Sequence, residues 1–529
     1  MRNLLLAAAL CLAATSPAQP SARPPADTLA AWARSAAEAS LVELREVLAI
    51  ANDAHYPAQV EANVAWAEAA FARRGFATKR LATDGAPLLL ATVARPPAAP
   101  AADVSPDTTL VYLQVDGQPV DSTFWRQPSP YTATLKREVE AEGWVAAPWD
   151  TLVAAWDDDY RVFARSASDA KGPVVMFLAA IDALAAADRA PAMPLKVILD
   201  FEEELGSPHL AAAVELHRAA LAASRLVIFD GPLHPSGEPT LAFGARGITT
   251  ATIEVFGPRQ PQHSGHYGNY VPNPAWRLAQ LLAPLKDDAG RVTLAGWYDG
   301  IALDAGVRDV LGAVPDDAAA LRRELLLGDV DSVGASLQEA LQYPSLNIRG
   351  LASGWVREEV RTLVPATALA EIDIRTVVES DPARLTRLLR DYLSERGYFV
   401  VEGRAPTPAE RLAHARVLRF DTETSYAAFR TELDGPTGTW LTEALTYAFG
   451  RPPVRIRTMG GSIPISPFVT TLGVPAVSVP TVNSDNHQHA PNENLRLGNY
   501  VDGIRTVLAV LVSGGESGAL RRKGNLWNR

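Results

Sequence analysis

Leu195-Lys196-Val197-Ile198-Leu199-Asp200-Phe201-Glu202-Glu203-Glu204-Leu205-Gly206-Ser207 is an apolar run that stops in a cluster of acids and a glycine turn. A short apolar run bounded by a turn reads as a buried strand. Two other runs have the same form: 109–115 leads into Asp116, and 226–229 leads into Asp230. Helical stretches at 173–187 and 211–223 follow or separate them. Strands alternating with helices predict an α/β fold, a central sheet flanked by helices. In such sheets chemistry gathers at the carboxyl ends of the strands. One acidic strand end is commonplace, whereas three in one half of the chain point to a shared cation. Neighbouring carboxylates such as Glu203 and Glu204 repel and raise each other's pKa, which a cation or a catalytic role offsets. A solvated acidic turn would look the same locally.

Working outward, 38–50 and 57–74 have helical periodicity, 87–93 reads as a strand, and 97–106 as a loop. Residues 19 to about 30 form a Pro/Ala-rich leader expected to be irregular. Beyond Asp230 the pattern changes. Strands are expected at 247–256, 345–348, 370–377 and 398–401, with helices at 273–285 and 382–396. This β-α-β-β-α-β order is ferredoxin-like, with 286–343 as an acidic, helix-rich insertion. The expected division is a signal peptide at 1–18, a catalytic domain at 19–242 and 406–529, and an inserted lid and dimerisation domain at 243–405.

The first residues read as a secretory signal: Arg2, the apolar run 4–14, and small residues at Ser16-Pro17-Ala18. Export to the periplasm or the exterior is the expectation. The run is too short to span a membrane, and no later segment is long and apolar enough. The single cysteine, Cys11, lies within this signal, so a metal site in the mature chain must use His, Asp and Glu. The chain has 529 residues, room for two or three domains. Its net charge of -11 argues against a nucleic-acid partner.

Further along lie Ser168-Asp169-Ala170-Lys171-Gly172, a carboxylate at a helix start whose bland reading is an N-cap. Met459-Gly460-Gly461-Ser462 is a glycine-rich loop that lets backbone N–H groups approach an anion. Asn486-His487-Gln488-His489-Ala490-Pro491-Asn492-Glu493-Asn494 offers imidazole ligands in a polar loop, where a surface histidine is the plainer reading. Together with Tyr112-Leu113-Gln114-Val115-Asp116, Asp230-Gly231 and His263-Ser264-Gly265, these segments stand in the order found in one enzyme family. From about residue 40 to 512 the chain resembles the carnosinase, aminoacylase and glutamate carboxypeptidase family of dinuclear-zinc peptidases.

The resemblance implies a zinc-dependent hydrolase of amide bonds next to a free carboxylate, with one or two Zn2+ per subunit, or Mn2+ or Co2+ instead. It implies that Asp169 bridges two ions, that Glu204 and His489 complete one site, and that Asp230 and residue 114 complete the other. Glu203 would be the general base. His263, reaching from the partner subunit of a homodimer, and Thr362 would steady the oxyanion. Arg375, Gly461 and Ser462 would hold the substrate carboxylate. The usual His-x-Asp motif reads Gln114-Val115-Asp116 here; in that motif the aspartate orients the ligand histidine. Glutamine is a weak zinc ligand. The second ion is then loosely held, or absent, or bound through another residue such as His487. A metallopeptidase acting on dipeptides or short peptides, of dipeptidase or carboxypeptidase type, is expected, with two alternatives: an N-acyl amino acid deacylase, or a metal- or peptide-binding protein without turnover. Ser462 as a nucleophile lacks a Gly-x-Ser-x-Gly elbow.

Overall fold

In the computed structural model, residues 23–93 and 107–514 are described. The expected signal at 1–18 with Cys11, and the expected loop at 97–106, lie outside these residues. Among the described residues no helix is long and apolar enough to cross a membrane.

The larger unit is built on an eight-stranded mixed sheet. Its order is Phe76–Leu81, Leu88–Val93, Leu195–Asp200, Thr109–Gln114, Arg225–Ile228, Ala476–Ser478, Thr240–Ala242, Val454–Ile456. The three acid-ended strands are neighbours at its centre and run parallel, with Val111 opposite both Val197 and Val227. Every residue of Thr109–Gln114 is buried, as expected for a parallel strand covered on both faces. The helices Ala26–Leu48, Lys171–Ala186 and Leu497–Ser513 cover one face, packing Leu29, Leu44, Phe177, Ile504 and Leu508 into one core. Central parallel strands and covering helices confirm the α/β reading.

The amino-terminal leader is shorter than expected. Helix starts at Ala26, directly after Pro25, because Leu29, Ala33 and Ala37 supply a buried stripe at helical spacing. The helix expected at 211–223 is broken into Leu210–Leu216 and Arg218–Leu221.

The smaller unit is a five-stranded sheet in the order Ser345–Ala352, Thr367–Thr376, Gly247–Phe256, Val417–Tyr426, Phe399–Val401. Two helices, Pro274–Leu282 and Pro382–Glu395, place Leu278, Leu281, Leu385, Leu389 and Leu393 against it. Four of the five strands and both helices are those of the expected ferredoxin-like pattern. The fifth, Val417–Tyr426, continues the sheet past residue 405. Two short segments connect the units, and they pair with each other: Gly244 is opposite Arg430 and Ala245 opposite Phe429. A side chain at Gly247 would come within 2.6 Å of the Ala428 nitrogen. Glycine therefore lets the two connections run side by side.

A third sheet has no counterpart in the apolar pattern. Asn494–Arg496, Arg161–Phe163, Thr134–Val139 and Gly143–Ala146 form it in that order. Its strands are three to six residues long, so alternation is too brief to read. It matters because pairing Asn494 with Phe163 carries the loop around His489 against the loop around Asp169.

Candidate metal centre

Four loops meet at the carboxyl end of the central strands. The turn after Leu195–Asp200 carries Glu203 and Glu204 in a single turn of 3-10 helix. Asp116, just past Thr109–Gln114, is buried and accepts the backbone N–H of Glu203 at 3.1 Å and of Glu204 at 3.0 Å. It therefore fixes the glutamate turn, a more direct role than orienting residue 114. Asp200 anchors the same turn from below, accepting from Ser207 Oγ at 2.7 Å, the Glu202 N–H at 3.0 Å and Tyr112 Oη at 3.0 Å.

Asp169 heads the loop before Lys171–Ala186, and its peptide to Ala170 is cis. A side chain at Gly172 would lie 2.0 Å from the Ala167 carbonyl oxygen, so only glycine lets this loop fold back on its helix. Glu493, wholly buried, holds the loop. It accepts from the N–H groups of Ser166, Ser168 and Asp169, each at 2.9 Å, and from Ser168 Oγ at 3.0 Å, and it pairs with Arg165 Nη1 at 2.7 Å. Lys171 points away from the centre. Its buried ammonium donates to Val47 O at 2.9 Å and to Ile50 O, the carbonyl end of the first helix, where a cation suits the helix dipole.

The loop 486–494 is turned by three non-glycine residues in left-handed conformation: His487, His489 and Asn492, with φ of 56°, 62° and 65°. Asn492 ties it down through the Arg126 N–H at 2.8 Å and Phe124 O at 3.1 Å. His489 thereby reaches the acids: its Nε2 is 2.9 Å from Asp169 Oδ2 and 3.4 Å from Glu204 Oε2.

Asp169, Glu204 and His489 bring one ligand atom each within 4.8 Å of one another. Two carboxylates and an imidazole are a fitting donor set for a divalent ion of the zinc class. The electrostatics agree. Burial first, then the charge of Asp169, pushes Glu204 up to about 8; burial and Asp169 push Asp230 up to about 7. Glu203 is raised well above the usual carboxylate range by burial, then by Asp230 and Glu204. His489 is raised to about 9, chiefly by its hydrogen bond to Asp169.

Gln114 is buried, and its Nε2 donates to Asp169 Oδ1 at 2.7 Å. His487 is exposed and stands outside the ligand group, so it does not replace the missing histidine. Arg375 Nη1 donates to Ser462 Oγ at 2.8 Å, joining two of the residues expected to hold a substrate carboxylate. Gly461 adjoins them with open space at its Cα. His263 and Thr362 are near neighbours, the Ser264 N–H donating to Thr362 O at 3.2 Å, and both are exposed.

Two contributors were not anticipated. Gln118 Nε2 donates to Glu204 Oε2 at 2.8 Å and steadies the ligand carboxylate. Tyr426, at the end of Val417–Tyr426, lies over the glutamate turn; its hydroxyl would be 3.2 Å from a side chain at Gly206. Burial raises its phenol pKa, as does Glu203, while Arg375 opposes them. Tyr426 thus feels the charge of both Glu203 and Arg375. The spacing Asp116-Gly117-Gln118 was a signal for the first; nothing local marks the second.

Residues 134–513 match the sequence model of peptidase family M20/M25/M40. The chain is 25% identical over 417 residues to human Beta-Ala-His dipeptidase, covering 77% of this chain and 75% of that protein. It is 25% identical over 414 residues to a Cys-Gly metallodipeptidase of Schizosaccharomyces pombe, covering 74% and 83%. Its fold is like that of an M20 family metallo-carboxypeptidase from Sulfolobus solfataricus, with a TM-score of 0.71, 24% identity, and coverage of 90% of this chain and 98% of that one.

Proposed function

The chain belongs to peptidase family M20/M25/M40 and is a metal-dependent peptidase; from that premise we propose that it hydrolyses dipeptides bearing a free carboxylate, outside the cytoplasm. The observation that carries the substrate class is the Arg375–Ser462 pair at 2.8 Å, with Tyr426 feeling the charge of both Arg375 and Glu203. An arginine fork meets a carboxylate with two parallel hydrogen bonds. Two dipeptidases among the relatives support the same class.

A divalent cation held by Asp169, Glu204 and His489, Zn2+ in our reading with Mn2+ or Co2+ as substitutes, would supply the positive charge that acidifies water and polarises the scissile carbonyl. The side chains do the rest. Asp116 holds the backbone of both Glu203 and Glu204, which fixes the turn that carries the two carboxylates. Glu203, partly buried and raised in pKa, accepts the proton of the attacking water and delivers it to the departing amine. Arg375 and Ser462 fix the carboxylate end, so the peptide bond is presented in one register.

The amino-terminal segment 1–18 supports export, since its charge, apolar core and small residues have the form of a cleavable signal. A homodimer through the smaller unit is part of the reading: His263 and Thr362 are exposed and clustered, as residues offered to a partner's cleft would be.

A panel of free dipeptides, their carboxy-amides and N-acyl amino acids tests the proposal. Free dipeptides should be hydrolysed, and amidation should lower kcat/KM by about 10- to 100-fold, the worth of a charged hydrogen bond. Faster cleavage of N-acyl amino acids would make the protein a deacylase. No hydrolysis of any of them would leave a binding protein.

A further inference from the structure

We propose that this chain holds one tightly bound divalent cation per subunit rather than two, because Gln114 occupies with an N–H donor the place where a second cation would meet Asp169. The inference rests on reading the cleft as a metallopeptidase site, and it concerns how many ions that site takes.

A carboxylate bridges two ions by turning one oxygen to each. Asp169 divides its oxygens differently. Oδ2 faces His489 Nε2 at 2.9 Å, within the group that also includes Glu204. Oδ1 accepts a hydrogen bond from Gln114 Nε2 at 2.7 Å. An imidazole at position 114 could present a bare nitrogen to a cation. A primary amide instead presents two N–H donors on one end and a neutral oxygen on the other. Turning the amide over would set its oxygen against Asp169 Oδ1, lone pair to lone pair, so the donor orientation is the favoured one. A hydrogen bond to a charged oxygen at this distance is among the stronger kind.

The remaining donors of a second site are few. Asp230 accepts the N–H of its neighbour Gly231 at 2.8 Å, and it lies outside the group of mutually close ligand atoms. Gln114 Oε1 is buried and has no hydrogen-bond partner among the described residues. It is a remaining ligand atom on that side, and a neutral amide oxygen is poorly matched to a zinc-class ion. One occupied oxygen, one lone aspartate and one amide oxygen fall short of the three strong ligands on the other side.

Metal content is measured on the full-length protein after loading with ZnCl2 and exhaustive dialysis, using inductively coupled plasma mass spectrometry. Wild type should retain one zinc per subunit. The Gln114→His variant should retain two, and Asp230→Asn should still retain one. Two dialysis-resistant ions in wild type, or none, would overturn the proposal. So would a single ion in folded Gln114→His, or loss of the ion in Asp230→Asn. If Gln114→His fails to fold by circular dichroism, wild type and Asp230→Asn decide. The count needs no substrate. One ion without dipeptide hydrolysis would sink the proposed function and leave this inference standing, and two ions with hydrolysis would do the reverse.

Discussion

Glu410 on the smaller unit and Glu204 in the cleft carry the same side chain and are pulled in opposite directions. Glu410 is clasped by the guanidinium of Arg404, with further bonds from the N–H and hydroxyl of Thr407, and its pKa falls to about 2. Glu204 is buried beside Asp169 and Asp230, with the His489 imidazole 3.4 Å away, and rises to about 8. At Glu410 the chain itself supplies the balancing cation, Arg404. In the cleft Asp116, Asp169, Glu203, Glu204 and Asp230 are gathered with no lysine or arginine among them. Folding would not bring like charges together unless something else balanced them. The difference teaches that the cleft is arranged around a charge that the side chains do not provide.

The comparison can be broken at either end. The largest effect is expected at Glu203. Replacing it by glutamine keeps the shape and removes the proton acceptor, so kcat should fall by about a thousandfold with metal content unchanged. A loss smaller than about tenfold would remove Glu203 from the proton transfer. Next comes Glu493, an acid that sits in the cleft region yet is paired like a surface one. Its buried pair with Arg165 and its three backbone donors hold the Asp169 loop. Glu493→Ala should cost about 3–5 kcal/mol, since it strands a buried guanidinium. Thermal unfolding of the metal-free protein should show it, and an unchanged melting temperature would mean the loop is held otherwise.

The smallest effect is at Glu410. Its folded pKa lies below the ordinary glutamate value of 4.5, so its contribution is full above that pH and is lost as pH falls towards about 2. Glu410→Gln should lower the melting temperature by no more than about 2 °C near neutral pH. That difference should shrink as the pH is lowered from 6 to about 3. A difference that grew in acid would reverse the assigned direction.

Much of the fold was legible because long apolar runs carry their own signal. The runs 195–199, 109–115 and 226–229 became three adjacent parallel strands. The acids at their ends became the centre, and His489 joined Asp169 and Glu204. The third sheet was not legible, since strands such as Arg161–Phe163 are too short to alternate. Glu493 stood in a quoted motif without a role, because its partners are more than 300 residues away. Asp116 was expected to serve residue 114 and serves the glutamate turn, which depends on how two neighbouring strand ends are staggered. Tyr426 comes from the smaller unit, so its approach to Gly206 depends on the docking of the two units.

The most direct test of a cleft organised around a cation is hydrolysis of a free dipeptide by the wild-type protein, before chelation, after the bound metal is stripped, and after zinc is returned. Activity should disappear with the metal and be restored with zinc. Hydrolysis that persists in fully stripped protein would contradict it.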